Sequence, residues 1–447
     1  MVKVKTISRT HEEFTRKSTL DITKVHRNRD PSLHPFERAR EYTKAIVATK
    51  LDKMFAKPFI GALDGHTDSV RCMTTIRTKN VPFISGACDG EIKVWDLSRK
   101  LCIWSTIGHL GFVNGIAPDE EGNTFYTCGN DRMIKQWKLE ASNHEKINAI
   151  NTYTAPSALT SIDHHWKDKQ FASAGDSVYI WDTNRSDPIH TYSWGSDTVL
   201  SVKYNPAEAC LLASTGADRS VCLYDLRSSL PMKKFMLAQK SNKIAWNPME
   251  PFNFVLANED NNLYTYDMRN LQKALMIHKD HVSAVMDISF SPTGREFVSG
   301  SYDRTIRIFK INGGRSRELY HTKRMQKVFC VNFSSDSRFI LSGSDDTNIR
   351  IWKTEASEEL GIDNSRNERK KLYNNTLKKK FAHMPEIKRI TRDKPIPKYI
   401  KKQNSLRHDQ MESERRKEDN RRKHSKPDDD NNNKKTERKR VTLKEFD

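Results

Sequence analysis

The chain has 447 residues, and its 77 lysines and arginines outnumber its 57 aspartates and glutamates, which gives a formal net charge of +20. Seven cysteines, an odd number with no C-x-x-C pair, indicate neither a disulfide framework nor a zinc site and favour a reducing compartment. No apolar run approaches membrane-spanning length and no signal peptide opens the sequence, so we expect neither membrane insertion nor secretion.

The charge is concentrated at the two ends of the chain. Residues 1–57 hold 14 basic and 7 acidic residues, and residues 354–447 hold 28 and 18. Residues 58–353 are nearly neutral, with 35 and 32. Because clustered cations neutralise phosphates and release counterions, this distribution favours a polyanionic partner, nucleic acid above all. Charged tails that only keep the protein soluble are the alternative.

The basic N-terminal extension, residues 1–57, contains one predicted helix. The sequence FERAREYTKAIVATKLDKMF, which follows Pro35, repeats apolar residues at helical spacing. Its apolar positions are Tyr42, Ile46, Leu51 and Phe55. This stripe would pack on the protein itself or dock on a partner. The basic residues predicted to contact partners here are Arg27, Arg29, Arg38 and Arg40.

Seven repeats occupy residues 58–353. Each repeat has small residues, an Asp, an alternating apolar run and a terminal aromatic, as in SGACDGEIKVWD. The aromatics are Trp95, Trp137, Trp181, Tyr224, Tyr266, Phe309 and Trp352, spaced by 42, 44, 43, 42, 43 and 43 residues. Period-two alternation predicts strands. The repeat resembles the WD40 family, which implies an all-β, seven-bladed propeller with four strands per blade.

This resemblance implies that the motif residues are structural. In repeat one Asp89 would accept a hydrogen bond from the His66 imidazole, Ser85 would continue the chain, and Trp95 would donate its indole N–H. The matching residues are His109, Thr127, Asp131 and Trp137 in repeat two, His281, Ser299 and Asp303 in repeat six, and Ser342, Asp346 and Trp352 in repeat seven. Repeat six ends on Phe309, which lacks an N–H, and repeat seven has Arg324 at the His position.

The phase of the repeats predicts how the ring closes. The last strand ends at Trp352, so blade seven lacks its outermost strand. The segment 58–63, just before the first Gly-His, is placed to supply that strand. We expect this pairing to close the ring and to remove an exposed strand edge.

Catalytic motifs are absent from the sequence. It has no phosphate-binding loop, no H-E-x-x-H and no G-x-S-x-G, so we expect a protein that is not an enzyme, with no cofactor and no catalytic residue. His164 and His165 have no third ligand at usable spacing, so we expect no metal site. The Asp-Arg pairs at 131–132, 218–219 and 303–304 recur at one turn position, which favours a role in turn packing.

Two repeats end on an Asp-x-Arg motif. Asp225 with Arg227, and Asp267 with Arg269, resemble the WD-x-R motif with which some propellers dock on the adaptor of cullin–RING ubiquitin ligases. The motif predicts such docking as an alternative function. A strand-end Asp followed by Arg is also common in this fold, and both copies carry Tyr where the motif has Trp.

The basic C-terminal arm, residues 354–402, begins with a second predicted helix, SRNERKKLYNNTLKKKFAHM. Its apolar face would be Leu372, Tyr373, Leu377 and Phe381. Pro385 should break this helix, and Pro395 and Pro397 favour extended backbone after it. Residues 403–447 form a charged, low-complexity tail that is predicted to be disordered alone or partly helical.

The stretch 381–402 combines cations with apolar residues. Held extended by its prolines, it would place cations on phosphate and apolar side chains on protein or bases. The predicted RNA- and partner-binding residues are Phe381, Met384, Lys388, Arg389, Arg392, Lys394, Lys398, Tyr399, Lys401 and Lys402.

The arms make the resemblance more specific. HRNRDPSLHPFERAREYTKA, the seven repeats and YNNTLKKKFAHMPEIKRI resemble the Sof-type WD-repeat family of ribosome biogenesis over residues 1–402. This resemblance implies a nuclear, nucleolar scaffold of the small-subunit processome, monomeric within a large complex, with pre-rRNA, the U3 small nucleolar ribonucleoprotein and processome proteins as partners. Some lineages use family members as cullin–RING substrate receptors. A cytoplasmic signalling propeller with inert tails is a third reading.

Overall fold

The computed structural model describes residues 31–76, 82–139, 148–193, 197–228, 231–361, 364–424 and 441–446. These residues form two compact units. The first unit combines the described parts of Met1–Lys57 and Glu355–Lys394, and the second combines those of Pro58–Thr354 and Pro395–Asp447. The sequence predicts boundaries at residues 354 and 403, whereas these compact units divide the chain after Thr354 and after Lys394.

The second unit contains the predicted seven-bladed propeller, with antiparallel strand pairing throughout. Strand β1 is Phe59–Leu63. Blade one holds β2 Val70–Thr75, β3 Phe83–Ala87, β4 Glu91–Asp96 and β5 Leu101–Ile107. Blade two holds β6 Val113–Pro118, β7 Thr124–Gly129, β8 Met133–Lys138 and β9 Asn151–Thr154. Blade three holds β10 Ser161–His164, β11 Gln170–Ala174, β12 Val178–Asp182 and β13 His190–Tyr192.

The remaining blades follow the same order. Blade four holds β14 Val199–Tyr204, β15 Leu211–Gly216, β16 Ser220–Asp225 and β17 Pro231–Leu237. Blade five holds β18 Ser241–Trp246, β19 Asn253–Asn258, β20 Asn262–Asp267 and β21 Met276–Lys279. Blade six holds β22 Val285–Phe290, β23 Glu296–Ser301, β24 Ile306–Lys310 and β25 Glu318–Tyr320. Blade seven holds β26 Val328–Phe333, β27 Phe339–Ser344 and β28 Ile349–Lys353.

The ring closes as the repeat phase predicts. Strand β1 pairs antiparallel with β28, so it is the outermost strand of blade seven. Phe59 lies opposite Trp352 and Leu63 opposite Ile349. Leu63 is buried in a cluster that also contains Val70 of blade one. The strand therefore ties blade seven to the first blade.

Close stacking of the blades explains why the inner strands carry apolar and small residues on both faces. All five residues of β3 are buried. A Cβ atom added at Gly86 of this strand would lie 2.7 Å from Val113 and 2.9 Å from Cys72. Gly86 thus lets blade two approach blade one, and any side chain there would force the two apart.

The first unit is helical. A short 3-10 turn at Pro31–Leu33 precedes helix α1, Glu37–Met54, while helix α2 spans Ser365–Lys380 and α3 spans Pro385–Arg392. The helices predicted at both ends of the chain are confirmed. The extended conformation predicted throughout 381–402 is wrong, because Pro385 occupies the first turn of α3, where its missing N–H and restricted φ are tolerated.

The chain continues with more order than its composition predicts. Helix α4 covers Lys398–His424, and strand β29 covers Thr442–Phe446. Strand β29 pairs antiparallel with β17 and makes blade four a five-stranded sheet. The sequence predicts a tail that is disordered alone or partly helical, and helix α4 corresponds to the helical alternative. Strand β29 is not predicted, because its edge pairing with β17 supplies backbone partners that composition does not reveal. In the described part of the chain, no helix combines the length and apolar character needed to cross a bilayer.

Candidate functional site

The two basic ends of the chain meet in the helical unit. Ala45 of α1 packs with Leu377 of α2, with Phe381 and with Ile387 of α3, and all four are buried. The partly buried residues around them are Tyr42, Ile46, Tyr373 and Met384. Each helix alone would leave its apolar stripe in water, so the stripes are buried against one another.

Charged pairs flank this core. Lys380 Nζ lies 2.7 Å from Oε2 of Glu41, whose side chain is 5% exposed. Lys378 pairs with Asp52 on the same helix α1. The hydroxyl of Tyr42 donates to a carboxylate oxygen of Glu386 at 3.3 Å. Desolvation is the main cause of the raised pKa of Tyr42, and the negative charge of Glu386 is the second.

The buried faces of the first two helices differ from the predicted ones. Leu51 and Phe55 were assigned to the stripe of α1, yet they are 45% and 69% exposed. Small and polar residues, Ala48 and Thr49 among them, are buried instead. Leu372 was likewise assigned to the face of α2 and is 61% exposed. Close helix packing favours small side chains, whereas the prediction weighted large apolar ones.

The predicted RNA-binding residues separate into two groups. Phe381 is buried in the helical core and Met384 is partly buried against it, so the Phe381 side chain is not available to a partner in this structure. Lys388, Arg389 and Arg392 are exposed on α3. Lys394, which follows α3, is half-buried. In the N-terminal arm Arg38 and Arg40 are exposed, whereas Arg27 and Arg29 lie outside the described residues.

The second group lies on the propeller unit. Lys398, Lys401 and Lys402 are exposed on α4. The hydroxyl of Tyr399 instead donates to the carbonyl oxygen of Asp303 in blade six, and burial raises the pKa of Tyr399 to about 12.

Helix α4 is anchored further by the Arg407 guanidinium, which donates to the carbonyls of His281 at 3.4 Å and Asp260 at 3.2 Å. Next to Tyr399 is a cavity of about 400 Å³, lined by Ser283, Tyr302, Asp303, Arg304, Tyr399 and Gln403.

The signature residues of blade two form a continuous hydrogen-bonded chain. The indole of Trp137 donates to the Thr127 hydroxyl at 2.8 Å, and Thr127 lies 2.8 Å from Nε2 of His109. Nδ1 of His109 lies 2.9 Å from Asp131. Burial lowers the pKa of His109, so its neutral imidazole donates from Nδ1 and accepts at Nε2.

Blade six repeats most of this chain. Nδ1 of His281 lies 2.9 Å from Asp303, and its Nε2 lies 2.7 Å from the Ser299 hydroxyl. Burial lowers the pKa of His281 as well. Phe309 ends the repeat without an indole N–H, and the Ser299 hydroxyl oxygen lies 3.4 Å from the Arg307 carbonyl oxygen.

Blade one corrects one predicted contact. Ser85 accepts from the Trp95 indole at 2.8 Å and lies 2.7 Å from Nε2 of His66, as in blade two. Nδ1 of His66, however, faces Glu91 at 3.4 Å. Asp89 is occupied by the Thr67 hydroxyl and the Glu91 backbone N–H, so it does not accept from the imidazole.

Blade seven replaces the histidine with an arginine from its own strand. The Trp352 indole donates to Ser342 at 2.9 Å. Asp346 is paired with Arg350, whose NH1 lies 3.0 Å from one carboxylate oxygen. Arg324, at the position where His was expected, is exposed. These chains satisfy polar groups between strands, which is a structural task.

The two Asp-x-Arg motifs differ in how firmly each aspartate holds its arginine. The Arg269 guanidinium donates twice to Asp267, at 3.1 and 3.0 Å, and lies 4.6 Å from the Phe252 ring centroid. The Arg227 side chain is 73% exposed, with Nε 3.6 Å from Asp225. Both arginine side chains are largely exposed, at 73% for Arg227 and 65% for Arg269. The bidentate pair holds the Arg269 guanidinium more firmly beside its aspartate, so Arg227 is the freer of the two to reorient toward a partner.

Clusters of three residues that could hold a metal ion are rare in the described part of the chain. Only His408, Asp409 and Glu412 place three suitable atoms together there, and all three are exposed on α4. His164 and His165 are engaged elsewhere: Nδ1 of His164 faces the His165 carbonyl at 2.6 Å, and Nε2 of His165 faces the Ala209 carbonyl at 3.0 Å.

Comparison with known families yields two matches. The Sof1-like domain matches residues 354–442. The WD domain, G-beta repeat, matches residues 57–96, 100–138, 186–225, 272–310 and 316–353. The Sof1-like match thus extends beyond residue 402, where the resemblance seen in the arms ended.

Individual relatives match nearly the full chain. "DDB1- and CUL4-associated factor 13" of Danio rerio is 50% identical over 415 residues, which cover 93% of this chain and 93% of that protein. The protein of that name from Homo sapiens gives the same identity and coverage. "Protein SOF1" of Saccharomyces cerevisiae is 44% identical over 436 residues, which cover 92% of this chain and 89% of that protein.

One solved structure resembles the propeller. The WD40 beta propeller domain of Doa1 superposes with a TM-score of 0.58 at 20% identity. The match covers 67% of this chain and 97% of the Doa1 chain. This similarity supports the propeller fold alone.

Proposed function

Because this chain belongs to the family of WD-repeat proteins that carry a Sof1-like domain, we propose that it is a non-enzymatic assembly scaffold of the nucleolar small-subunit processome. It acts there in pre-rRNA processing, and its basic helices bind pre-rRNA and the U3 small nucleolar ribonucleoprotein. The propeller offers rigid protein-binding faces.

The observation that carries this proposal is the composition of helix α2. It holds seven basic side chains and one acidic residue, Glu368, while Leu377 is buried in the core. Lys378 and Lys380 pair with acidic residues of α1. The basic residues of α2 that are exposed are Arg366, Arg369, Lys370 and Lys379.

This arrangement suits phosphate binding. The packed core holds the backbone of α2 in place, so its cations meet an RNA backbone with less loss of chain entropy than a free tail would suffer. Contacts of this kind do not read sequence, and they weaken as salt rises because they release counterions. The position of the RNA would therefore be determined by neighbouring proteins and RNA shape.

The proposal is tested by ultraviolet crosslinking in cells with the full chain and a charge-reversed variant. The variant Arg366→Glu, Arg369→Glu, Lys370→Glu should reduce crosslinks to pre-rRNA and U3 RNA by about tenfold or more. A matched control, Arg415→Glu, Arg416→Glu, Lys417→Glu, reverses the same residue types on exposed positions of α4. Unchanged crosslinking by the first variant, or no RNA on the unaltered chain, contradicts the proposal.

A second function rests on Arg227. The relatives named for association with DDB1 and CUL4 motivate docking on a cullin–RING ligase adaptor, and the exposure of Arg227 supports it. The variant Arg227→Ala, Arg269→Ala should abolish co-purification with DDB1, with most of the loss already present in Arg227→Ala. Arg219→Ala is the control, since Arg219 lies in a turn outside the motif. Retention of DDB1 by the double variant excludes this docking mode.

A further inference from the structure

The outer edges of the seven blades are protected in different ways. An uncovered edge strand presents unpaired N–H and C=O groups that can pair with another chain, and short strands limit this risk. Among the described strands, the outermost ones of five blades have only three to five residues: β1, β9, β13, β21 and β25. The two longer ones, β5 and β17, have seven residues each.

Strand β17 is covered and β5 is not. Strand β29 pairs along β17 over residues 234–237 and takes up its free edge. In the described part of the chain, β5 ends the sheet of blade one, with β4 as its one neighbour. Strand β5 is thus the longest outer edge that the protein leaves uncovered within these residues.

Side chains do not protect β5 either. The run LCIWSTIGHLGF, residues 101–112, contains no Lys, Arg, Asp or Glu. Ile103 and Ile107 lie on the same solvent-facing side of the strand and are 42% and 76% exposed. Natural edge strands normally carry charge or proline against unwanted pairing, and this one has neither.

We infer that the outer edge of blade one, residues 101–107, is a docking site for an extended segment of a partner protein. The segment adds as a fifth strand, as β29 does in blade four of the same molecule. Main-chain hydrogen bonds give affinity in this mode, and alternate side chains give selectivity. The partner strand therefore carries apolar residues at alternate positions, where they pack on Ile103 and Ile107.

Charge favours a different protein over a second copy of this chain. Each copy of the chain carries a net charge of +20 over its full length, and this overall charge opposes the association of two copies. The chain's own C-terminal strand is already paired with β17. The register with β4 shifts between Trp104 and Cys102, so the regular stretch of β5 is Trp104–Ile107. The partner segment is accordingly short and uncharged or acidic.

The test starts with photocrosslinking of the full-length chain in cells. Benzoylphenylalanine replaces Ile103 or Ser105 on β5, and replaces His190 on the short outer strand of blade three as a control. The expected result is that both β5 positions crosslink to one partner protein, within one stretch of about eight residues, and that the control does not reach that stretch. Crosslinks to a second copy, to RNA, to scattered proteins or to nothing overturn the inference.

The second step measures the docking directly with a synthetic peptide of the crosslinked stretch. The variant Ile103→Lys, Ile107→Lys should weaken binding of this peptide at least tenfold, because it charges the edge without emptying the core. Leu275→Lys changes an exposed residue of blade five and should bind as the unaltered chain does. Equal thermal midpoints for the variants exclude misfolding, and unchanged peptide binding by the double variant refutes the docking site.

Discussion

The hydroxyl of Tyr266 lies 3.0 Å from that of Thr442, and both side chains are buried. Thr442 donates its proton to the carbonyl of Leu271 at 3.1 Å, so Tyr266 donates to Thr442. Tyr266 is the terminal aromatic of blade five, at the position where four of the seven blades have a tryptophan. The departure from tryptophan therefore has a structural use, which is to fasten strand β29 beside blades four and five.

Removal of this hydroxyl should release the C-terminal strand. The variant Tyr266→Phe keeps the ring and loses one buried hydrogen bond, which contributes about 1 kcal/mol. We expect faster hydrogen–deuterium exchange of the peptide that contains residues 441–446. The matched control is Tyr224→Phe, which removes a comparable 3.0 Å bond to Ser214 in blade four. Faster exchange of this peptide in both variants would show that the Thr442 contact has no special role.

The helical unit should depend on the Lys380–Glu41 pair. Lys380→Met leaves a nearly buried carboxylate without its ammonium partner, and breaking such pairs costs about 3 kcal/mol, less where water reaches the lysine. The expected result is faster hydrogen–deuterium exchange in α1 and α2. Lys379→Met alters the exposed neighbouring residue and serves as the control. Equal exchange in the two variants would contradict a role for the pair.

Ring closure should depend on one side chain of β1. Leu63→Ala empties a buried site between blades seven and one and should cost about 2–5 kcal/mol, seen as a lower urea midpoint of unfolding. Phe59→Ala, on the same strand but 45% exposed, should cost less than 1.5 kcal/mol. A larger loss for Phe59→Ala would show that Leu63 does not hold the closure.

Acid should weaken the propeller through its buried histidines. Burial lowers the pKa of His66 to about 4, below the ordinary value of 6.5, so folding favours the neutral ring. Stability is therefore complete above about pH 6.5 and falls as pH drops toward 4, by up to about 1.4 kcal/mol per pH unit for each such histidine. His109 and His281 act in the same direction.

The measurement is urea unfolding at pH 7.5 and pH 5. His66→Gln should lose less stability between the two pH values than the unaltered chain does, because one acid-sensitive group is gone. His190→Gln, on the exposed outer strand of blade three, should keep the full pH dependence. An unaltered pH dependence in His66→Gln would exclude this histidine as a source of acid sensitivity.

Local patterns predict local parts of this molecule well. Aromatics spaced by 42–44 residues and the period-two alternation predict every blade, and the phase of the repeat predicts β1 in blade seven. Most members of the hydrogen-bonded chains in the blades are predictable from the repeat motif. The contact of Glu91 with His66 and the pairing of Arg350 with Asp346 are not. Glu91 lies two residues after Asp89 and Arg350 two residues before Trp352, and the reach of their side chains decides which charged group contacts the motif residue.

The seven blades, the closing strand and the helices at both ends are predictable from the sequence, because they depend on periodicity and on residues close in the chain. The packing of the two ends into one unit and the pairing of the C-terminal strand with blade four are not, because they depend on contacts between distant residues. Glu41 and Lys380 are separated by 339 residues, and Tyr266 and Thr442 by 176. A periodic pattern shows that a stripe must be buried, but its partner is selected by shape, charge and hydrogen bonding in three dimensions.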